Sequence, residues 1–367
     1  MSAGPVGVAV VGAGVISAEY LRTLAGFPDV RLIGVADLDV GRAESAAAEH
    51  GVPLAGEPDK VLGVPEVEIV VNLTVPAAHA AVSMAALQAG KHVYVEKPLA
   101  LEPADAEGVL REAGRRRLSV GCAPDTFLSP AVQAARSAID RGSIGAPVAA
   151  SAALLSPGPE RWHPRPEFLF QRGAGPVFDL APYTLTALVA LLGPAAQVAA
   201  TARRGPAERV IGSGPRAGTA FAVELPTHVS ALIGLRAGIC VGAAFGFDTA
   251  IRRTWLEIVG TDGTLSLPDP VFHAGSARIR GAADEDWREL PPAGAAVGRG
   301  VGVLEMARAL RAGRPPRAAG AMGRHVLDVM AAIVQSAERR AFVRVGSDCP
   351  QPEPLPPAWD PCTATLS

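Results

Sequence analysis

The stretch KHVYVEKPLA, residues 91–100, sets Lys97 between Glu96 and Pro98 at the end of an apolar run. Lys60, Lys91 and Lys97 are the only lysines among 34 basic residues, so the chain uses arginine wherever a plain positive charge serves. Arginine keeps its proton in proteins, whereas the lysine ammonium is compact and its pKa responds to its surroundings. At a ligand site such a group can anchor a substrate or move the proton of a reacting hydroxyl; on a bare surface it is a solvated strand-end lysine. Proline pushes the preceding residue out of the helical region, which holds Lys97 extended.

A second constellation lies near the N-terminus. Val6 to Val11 is a short apolar run, and in the GAGVISAEYLRTLAG that follows apolar residues recur at helical spacing. Gly12 and Gly14 occupy the first two positions of a dinucleotide fingerprint. The first glycine makes the tight turn, and the second lets a pyrophosphate approach the backbone at a helix N-terminus. Ser17 stands at the third glycine position, small enough for close packing. VRLIGVAD then reads as a second strand ending at Asp37. An acid there accepts both ribose hydroxyls of NAD and repels a 2′-phosphate, so NAD is favoured over NADP. Arg42 is close enough in sequence to reach a phosphate, which keeps NADP possible. The plainer reading of Asp37 is a turn or cap before the helix DVGRAESAAAEHG.

The elements that must position these groups alternate. VEIVVNL reads as a strand, PAAHAAVSMAALQAG as a helix opened by Pro76, and KHVYVEKP as the next strand; PADAEGVLREAGRRR is a helix and LSVGCAP a strand. That alternation predicts a parallel, doubly wound α/β sheet whose ligands sit beyond the carboxyl ends of its strands. Gly12, Asp37, Thr74, Glu96, Lys97 and Ala123 all fall there. After GCAPDTF the pattern changes. A helix from Pro130 to Arg141, a long loop, another helix and the strand-like runs HVSALIGL, ICVGAAFGF, TWLEIVG and TLSLPD follow, with turns at Gly238 and Asp262-Gly263. These predict an α+β domain with an open, mostly antiparallel sheet and helices on one face. Two helices, VGVLEMARALRAG and GRHVLDVMAAIVQSAERR, precede a proline-rich tail expected to be mobile or to lie over a neighbour. The expected division is 1–124, 125–350 and a tail at 351–367.

Composition narrows the chemistry. A chain of 367 residues, 49% hydrophobic, can fill two cores. A net charge of −2 with scattered basic residues and few aromatics gives no nucleic-acid footprint. The four cysteines are too dispersed for a zinc site or a disulfide scaffold, and no set of His, Cys and carboxylates has metal-ligand spacing, so no metal is expected. MSAGPVGVAVVGAG lacks the basic and apolar segments of a secretion signal, and no apolar run reaches membrane-spanning length, so a cytoplasmic location is expected.

Together VVGAGVIS, NLTVPAAHA, EKP, GAGPVFDLAPYTLTALVALLGP and LEIVGTDGTLSLPDP, in this order and spacing, resemble the glucose-fructose oxidoreductase, inositol dehydrogenase and MocA-type oxidoreductases over nearly the whole chain. PDTF after the last strand of the alternating region and the WHPRPEF loop look like a subgroup. The resemblance implies an N-terminal Rossmann domain and a larger second domain whose open sheet often mediates dimers or tetramers. It also implies hydride transfer between nicotinamide and a secondary alcohol of a sugar, cyclitol or related polyol. Carried over, it puts Gly12, Gly14, Val15 and Ile16 along the pyrophosphate, Asp37 at the adenosine ribose, and Thr74, Pro76 and His79 along the cofactor. Glu96 falls near the nicotinamide ribose and Lys97 beside the reacting hydroxyl.

Where many relatives have Asp, three residues, His, this chain has Asp179-Leu-Ala-Pro-Tyr183. The i, i+4 spacing places carboxylate and phenol on one face of the helix expected over VFDLAPYTLTALVALL, near its N-terminus because Pro182 is tolerated only in a first turn. A phenol with a pKa of about 10 needs a nearby cation to favour phenolate, and Lys97 is the candidate. Whether Lys97 or Tyr183 takes the proton stays open, as does the reading of Tyr183 as a core aromatic. Asp125 in PDTF and Trp162 and His163 in PERWHPRPEF are further substrate-facing candidates, the tryptophan stacking on carbon faces and the histidine bonding hydroxyls. An ordered surface or subunit-contact loop is the bland alternative. Two other functions remain: a tightly bound NAD used transiently for elimination, epimerisation or glycoside cleavage, and a non-catalytic dinucleotide sensor.

Overall fold

In the computed structural model, which describes residues 4–171 and 173–366, the chain forms two compact units. The first three residues of the expected N-terminal domain, Arg172 and the final Ser367 lie outside the described residues. The first unit is built on six strands, β1 Val6–Val11, β2 Val30–Ala36, β3 Leu54–Gly56, β4 Ile69–Asn72, β5 His92–Val95 and β6 Val120–Cys122. They pair in the order β3-β2-β1-β4-β5-β6, all parallel. Every residue of β1 and β4 is buried, as parallel strands covered on both faces require. The helices α1 Ser17–Ala25, α2 Val40–His50, α3 Pro58–Leu62, α4 His79–Gln88 and α5 Pro103–Arg116 connect them. The strand order reverses between β1 and β4, the switch point where such sheets bind ligands.

The second unit opens with α6 Pro130–Asp140 and β7 Pro147–Leu155. Two helices follow, α7 Gly175–Asp179 and α8 Ala181–Leu192, then β8 Ala195–Arg203. A small ribbon of β9 Glu208–Val210 and β10 Ala220–Ala222 stands apart from the main sheet. Next come β11 His228–Leu235, β12 Cys240–Gly246, β13 Arg253–Gly260, β14 Gly263–Leu267, β15 Arg278–Gly281 and β16 Arg288–Glu289, with β17 Val343–Arg344 added from the C-terminal part. The nine-stranded sheet runs β16-β15-β14-β13-β7-β12-β11-β8-β17. Its pairs are antiparallel except β7 with β12. The α/β and open-sheet architecture expected from the sequence is present.

Three details depart from expectation. The helix over VFDLAPYTLTALVALL is broken at Leu180, because Pro182 has no N–H to continue the ladder and its ring needs the space of the carbonyl four residues back. The first unit is discontinuous: besides residues up to Pro130 it takes in Ala293–Leu327, with α9 Val301–Arg311, and the segment from Pro352 onward. The last helix, α10 Gly320–Arg339, is divided between the units after Leu327. The proline-rich tail, finally, is pinned rather than mobile. Arg308 on α9 donates to the carbonyls of Asp360 (2.9 Å) and Thr363 (2.7 Å), and Arg317 donates to that of Pro354 (2.9 Å). Asp29, fully buried, accepts from Arg308 Nε (2.7 Å), from the backbone N–H groups of Thr365 and Leu366 (both 2.9 Å) and from the Thr365 hydroxyl (2.8 Å).

Candidate active site

In the first unit the site is assembled at the carboxyl ends of β1, β2, β4 and β5. Gly12 follows β1 with φ +104°, and a Cβ there would lie 2.7 Å from the Leu73 carbonyl, so only glycine lets the turn pass β4. Gly14 is glycine for a different reason. A Cβ on it would meet no protein atom within 4 Å and would project into open space, while Gly14 borders a groove of about 690 Å³ shared with Val15, Asp39, Arg42 and Glu49. No side chain caps α1, whose N-terminus follows at Ile16; Ser17, nearly buried, turns its hydroxyl back to the Gly14 carbonyl (2.6 Å). An uncapped helix N-terminus behind a cleared glycine is the arrangement a pyrophosphate needs, so these residues fit a dinucleotide.

Asp37 stands one residue beyond β2. One carboxylate oxygen accepts from Ala13 N–H (2.8 Å) and the other from Asp39 N–H (2.9 Å), which fixes the carboxylate against the glycine turn. Arg42 is turned to Asp39, Nε to Oδ2 at 3.0 Å, so both charges of that pair lie along the groove with Asp39 balancing the arginine. Leu38, 90% exposed, offers an apolar face at the same edge.

The β4 end is organised by Asn72, which is fully buried. Its amide donates to the His79 carbonyl (2.9 Å) and Ser83 Oγ (3.1 Å), and its oxygen accepts from the Thr74 hydroxyl (2.7 Å). Thr74 is thereby held, with Val75 exposed beside it and Pro76 opening a single 3₁₀ turn, Pro76–Ala78. His79 is enclosed, its ring spanning the carbonyls of Pro98 (2.6 Å) and Thr74 (2.9 Å). Burial lowers its pKa, against the two carbonyls and Glu96, which raise it. His79, expected along the cofactor, here braces the Thr74 turn to the segment after β5.

Beyond β5, Glu96 accepts from Tyr20 Oη on α1 (2.8 Å) and from Lys97 N–H (2.9 Å), with Arg299 3.8 Å away. Burial and the Glu96 charge raise the Tyr20 pKa well above its usual value, so it serves as a donor. Lys97 follows two residues past the strand, partly exposed. Asp125, expected to face the substrate, lies in the interior. It is fully buried, and one oxygen accepts the N–H groups of Gly300 (2.8 Å) and Gly302 (3.0 Å) at the start of α9. That is an N-terminal cap, which leaves no exposed carboxylate for a substrate.

In the second unit Asp179 ends α7 and Tyr183, largely buried, lies in the first turn of α8, with Pro182 between them. The Trp162–His163 loop is ordered by its own ring contacts. His163 packs edge-on between Trp162 (5.5 Å between centroids) and Phe168 (5.4 Å), and its Nδ1 accepts from Arg165 N–H (3.0 Å). Burial lowers the His163 pKa, and the Asp179 charge pulls the other way. With Nδ1 accepting from Arg165, the neutral form of the ring carries its proton on Nε2. Trp162 is 66% exposed. Among the described residues no group of three His, Cys, Asp or Glu could hold a metal ion, and no helix is long and apolar enough to cross a membrane.

Sequence reasoning missed Asn72, Tyr20, Leu38 and Asp39. A polar residue closing the apolar run of β4, and a leucine between two acids after β2, were the available signals.

Fold and site together define a dinucleotide-binding oxidoreductase. Residues 6–122 match the model of an oxidoreductase family with an NAD-binding Rossmann fold, and residues 132–266 match that of the GFO/IDH/MocA C-terminal domain. Inositol 2-dehydrogenase 1 of Saccharopolyspora erythraea is 31% identical over 279 residues, 74% of this chain and 77% of that one. The 1,5-anhydro-D-fructose reductase of Ensifer adhaerens is 26% identical over 77% of this chain and 82% of its own. Among solved structures, an NAD binding oxidoreductase from Klebsiella pneumoniae superposes with a TM-score of 0.82 at 25% identity, covering 94% of this chain and all of that one. A levoglucosan dehydrogenase in complex with NADH shares the fold, with a TM-score of 0.81 at 21% identity over 94% of this chain and all of its own. The chain belongs to the glucose-fructose oxidoreductase, inositol dehydrogenase and MocA family, and it is an NAD-binding oxidoreductase.

Proposed function

We propose that the protein moves a hydride between NAD and a secondary alcohol or ketone carbon of a sugar, cyclitol or related polyol. The observation that carries the proposal is within the first unit. Lys97 stands two residues past β5, at the same sheet end as the cleared Gly14 turn and the fixed Asp37 carboxylate. The relatives named for inositol and anhydrofructose support the polyol class. Bound NAD supplies the hydride acceptor. In the oxidation direction the substrate C–H electron pair leaves as hydride to the nicotinamide, and the hydroxyl proton passes to Lys97 in its neutral amine form or to the Tyr183 phenolate. Asp179, Trp162 and His163 orient the ring, the neutral imidazole through its Nε2–H.

The open face of the nine-stranded sheet supports a homodimer or homotetramer. There Leu232, 61% exposed, and Trp255 border a shallow apolar depression of about 500 Å³. A cytoplasmic location is part of the same proposal.

The test is NADH absorbance with purified protein, NAD or NADP, and a panel of sugars, cyclitols and sugar phosphates, with Lys97→Ala and Tyr183→Phe alongside. Reduction of NAD that both substitutions lower by about a hundredfold or more, with NADH still bound, supports the assignment. Product formation without net NADH would mean an internally recycled cofactor. Binding without turnover in either direction would mean a sensor.

A further inference from the structure

The second unit contains a largely enclosed charge cluster, Glu160 buried and Arg209 and Asp248 half-buried, that the hydride-transfer proposal does not use. Between β8 and β11 the chain leaves the main sheet, and the β9–β10 ribbon formed there lies along the loop before α7. Gly212 N–H donates to the Glu160 carbonyl (2.8 Å), Glu224 N–H to the Phe170 carbonyl (3.1 Å), and Arg216 pairs with Glu167 (2.5 Å). At the centre is Arg209 on β9. Its guanidinium lies over the Phe170 ring, 5.1 Å from the centroid, donates to Glu160 Oε1 at 2.6 Å and pairs with Asp248 just beyond β12. Asp248 in turn accepts from the Thr227 hydroxyl (2.7 Å), whose oxygen accepts Gly205 N–H (2.8 Å).

We propose that Arg209 is a positioning residue for substrate recognition, holding the loop that presents Trp162 and His163 through its joint grip on Glu160 and Asp248. The proposal rests on the assignment of those two residues to the substrate.

Burying two carboxylates on one guanidinium is a poor way to gain stability alone, since desolvation consumes most of the Coulomb gain. Among the described residues Glu160 Oε2 and Arg209 Nε have no hydrogen-bond partner, an added cost that an apolar trio would avoid. What the cluster does supply is direction, because a planar guanidinium fixes two carboxylates at set angles. The anchored carboxylate is two residues from Trp162. The backbone N–H groups of Trp162 (3.2 Å) and His163 (2.8 Å) both donate to the carbonyl of Pro159, so a shift of Glu160 is transmitted to both rings. Gly158, with φ +107°, completes the seat: a Cβ there would come within 2.6 Å of Arg209 Nη1.

The experiment measures kcat and KM for the panel member that turns over, and its affinity for NADH-loaded protein by calorimetry, which needs no turnover. The variants are Arg209→Met, Arg209→Lys, Glu160→Gln, Trp162→Ala and His163→Ala. Arg209→Met and Glu160→Gln are expected to raise KM about tenfold, the scale of a misplaced binding group, while kcat changes less than about twofold and NADH affinity is unchanged. The double variant should be no worse than either single one, and Arg209→Lys should recover part of the loss. If Arg209→Met fails to fold, Arg209→Lys and Glu160→Gln carry the test. Unchanged KM and affinity in the Arg209 and Glu160 variants, with Trp162→Ala still impaired, overturn the positioning role. Unchanged values in both loop variants overturn the substrate assignment beneath it, and the proposal with it.

Discussion

At the residue scale the proposed preference for NAD over NADP rests on one carboxylate. Asp37 presents charge where an adenosine ribose would lie and also accepts the Ala13 N–H, so it does two jobs that substitution can separate. Asp37→Asn keeps an acceptor for Ala13 but removes the charge that would repel a 2′-phosphate. Hydrogen bonds to a charged group are worth about 1.5–3 kcal/mol, so NAD KM should rise roughly ten- to a hundredfold, with NADP turnover rising relative to NAD. An unchanged NAD to NADP ratio of kcat/KM would remove Asp37 from the discrimination. Motif chemistry made Gly12, Gly14 and Asp37 legible, because their roles follow from neighbours in sequence. The surroundings of Asp125 and His79 were not legible in the sequence, because their partners are not local. The N–H groups that occupy Asp125 belong to Gly300 and Gly302, and the carbonyl that faces His79 Nδ1 belongs to Pro98.

At the scale of elements the two turn glycines make different predictions for stability. Gly12→Ala must place a methyl 2.7 Å from the Leu73 carbonyl at positive φ, so the β1 turn itself is strained. Strain of about 1–3 kcal/mol plus the overlap should lower Tm and weaken NADH binding together. Gly14→Ala meets no protein atom, so Tm should hold while NADH affinity falls, since the methyl takes ligand space. Thermal melts and fluorescence titration of the two proteins check this, and equal Tm losses would refute the distinction. The longer elements were readable from their apolar residues: α9, α10, five of the six parallel strands, β11 and β12; β3, three residues long, was not. The β9–β10 ribbon was not, since ERV and AFA, three residues each, carry too little periodicity to register. The break before α8 was half legible. Proline marked the first turn, but nothing in the local pattern ended α7 at Asp179 rather than continuing it.

For the molecule as a whole, the first unit is closed by chain that arrives last. Composition pointed to a loose tail, because proline-rich sequence without apolar periodicity cannot build its own core. The structure borrows one instead: Arg308, reaching from α9, joins the tail carbonyls to Asp29 between α1 and β2, and Trp359 lies over its guanidinium at 5.0 Å. Burial raises the Asp29 pKa, but the Leu366 and Thr365 backbone N–H groups, the Thr365 hydroxyl and Arg308 outweigh it, and the pKa ends below the usual carboxylate value. A carboxyl depressed in the folded state contributes stability that is complete above its unfolded pKa of about 4 and is lost as pH falls through the folded value. Wild type should therefore lose tail anchoring in acid, below about pH 4, while at pH 7 the clasp is intact. Arg308→Met leaves the Asp29 charge buried without its cation, a change that costs about 3–5 kcal/mol in comparable pairs, and should lower Tm and release the tail to limited proteolysis at neutral pH. Asp29→Asn keeps acceptor capacity for Thr365, so it should lose less stability and flatten the acid limb of the stability curve. A tail equally protected in Arg308→Met and wild type would show that the proline-rich segment is held by its apolar contacts, and that the buried pair only fills the space beneath it.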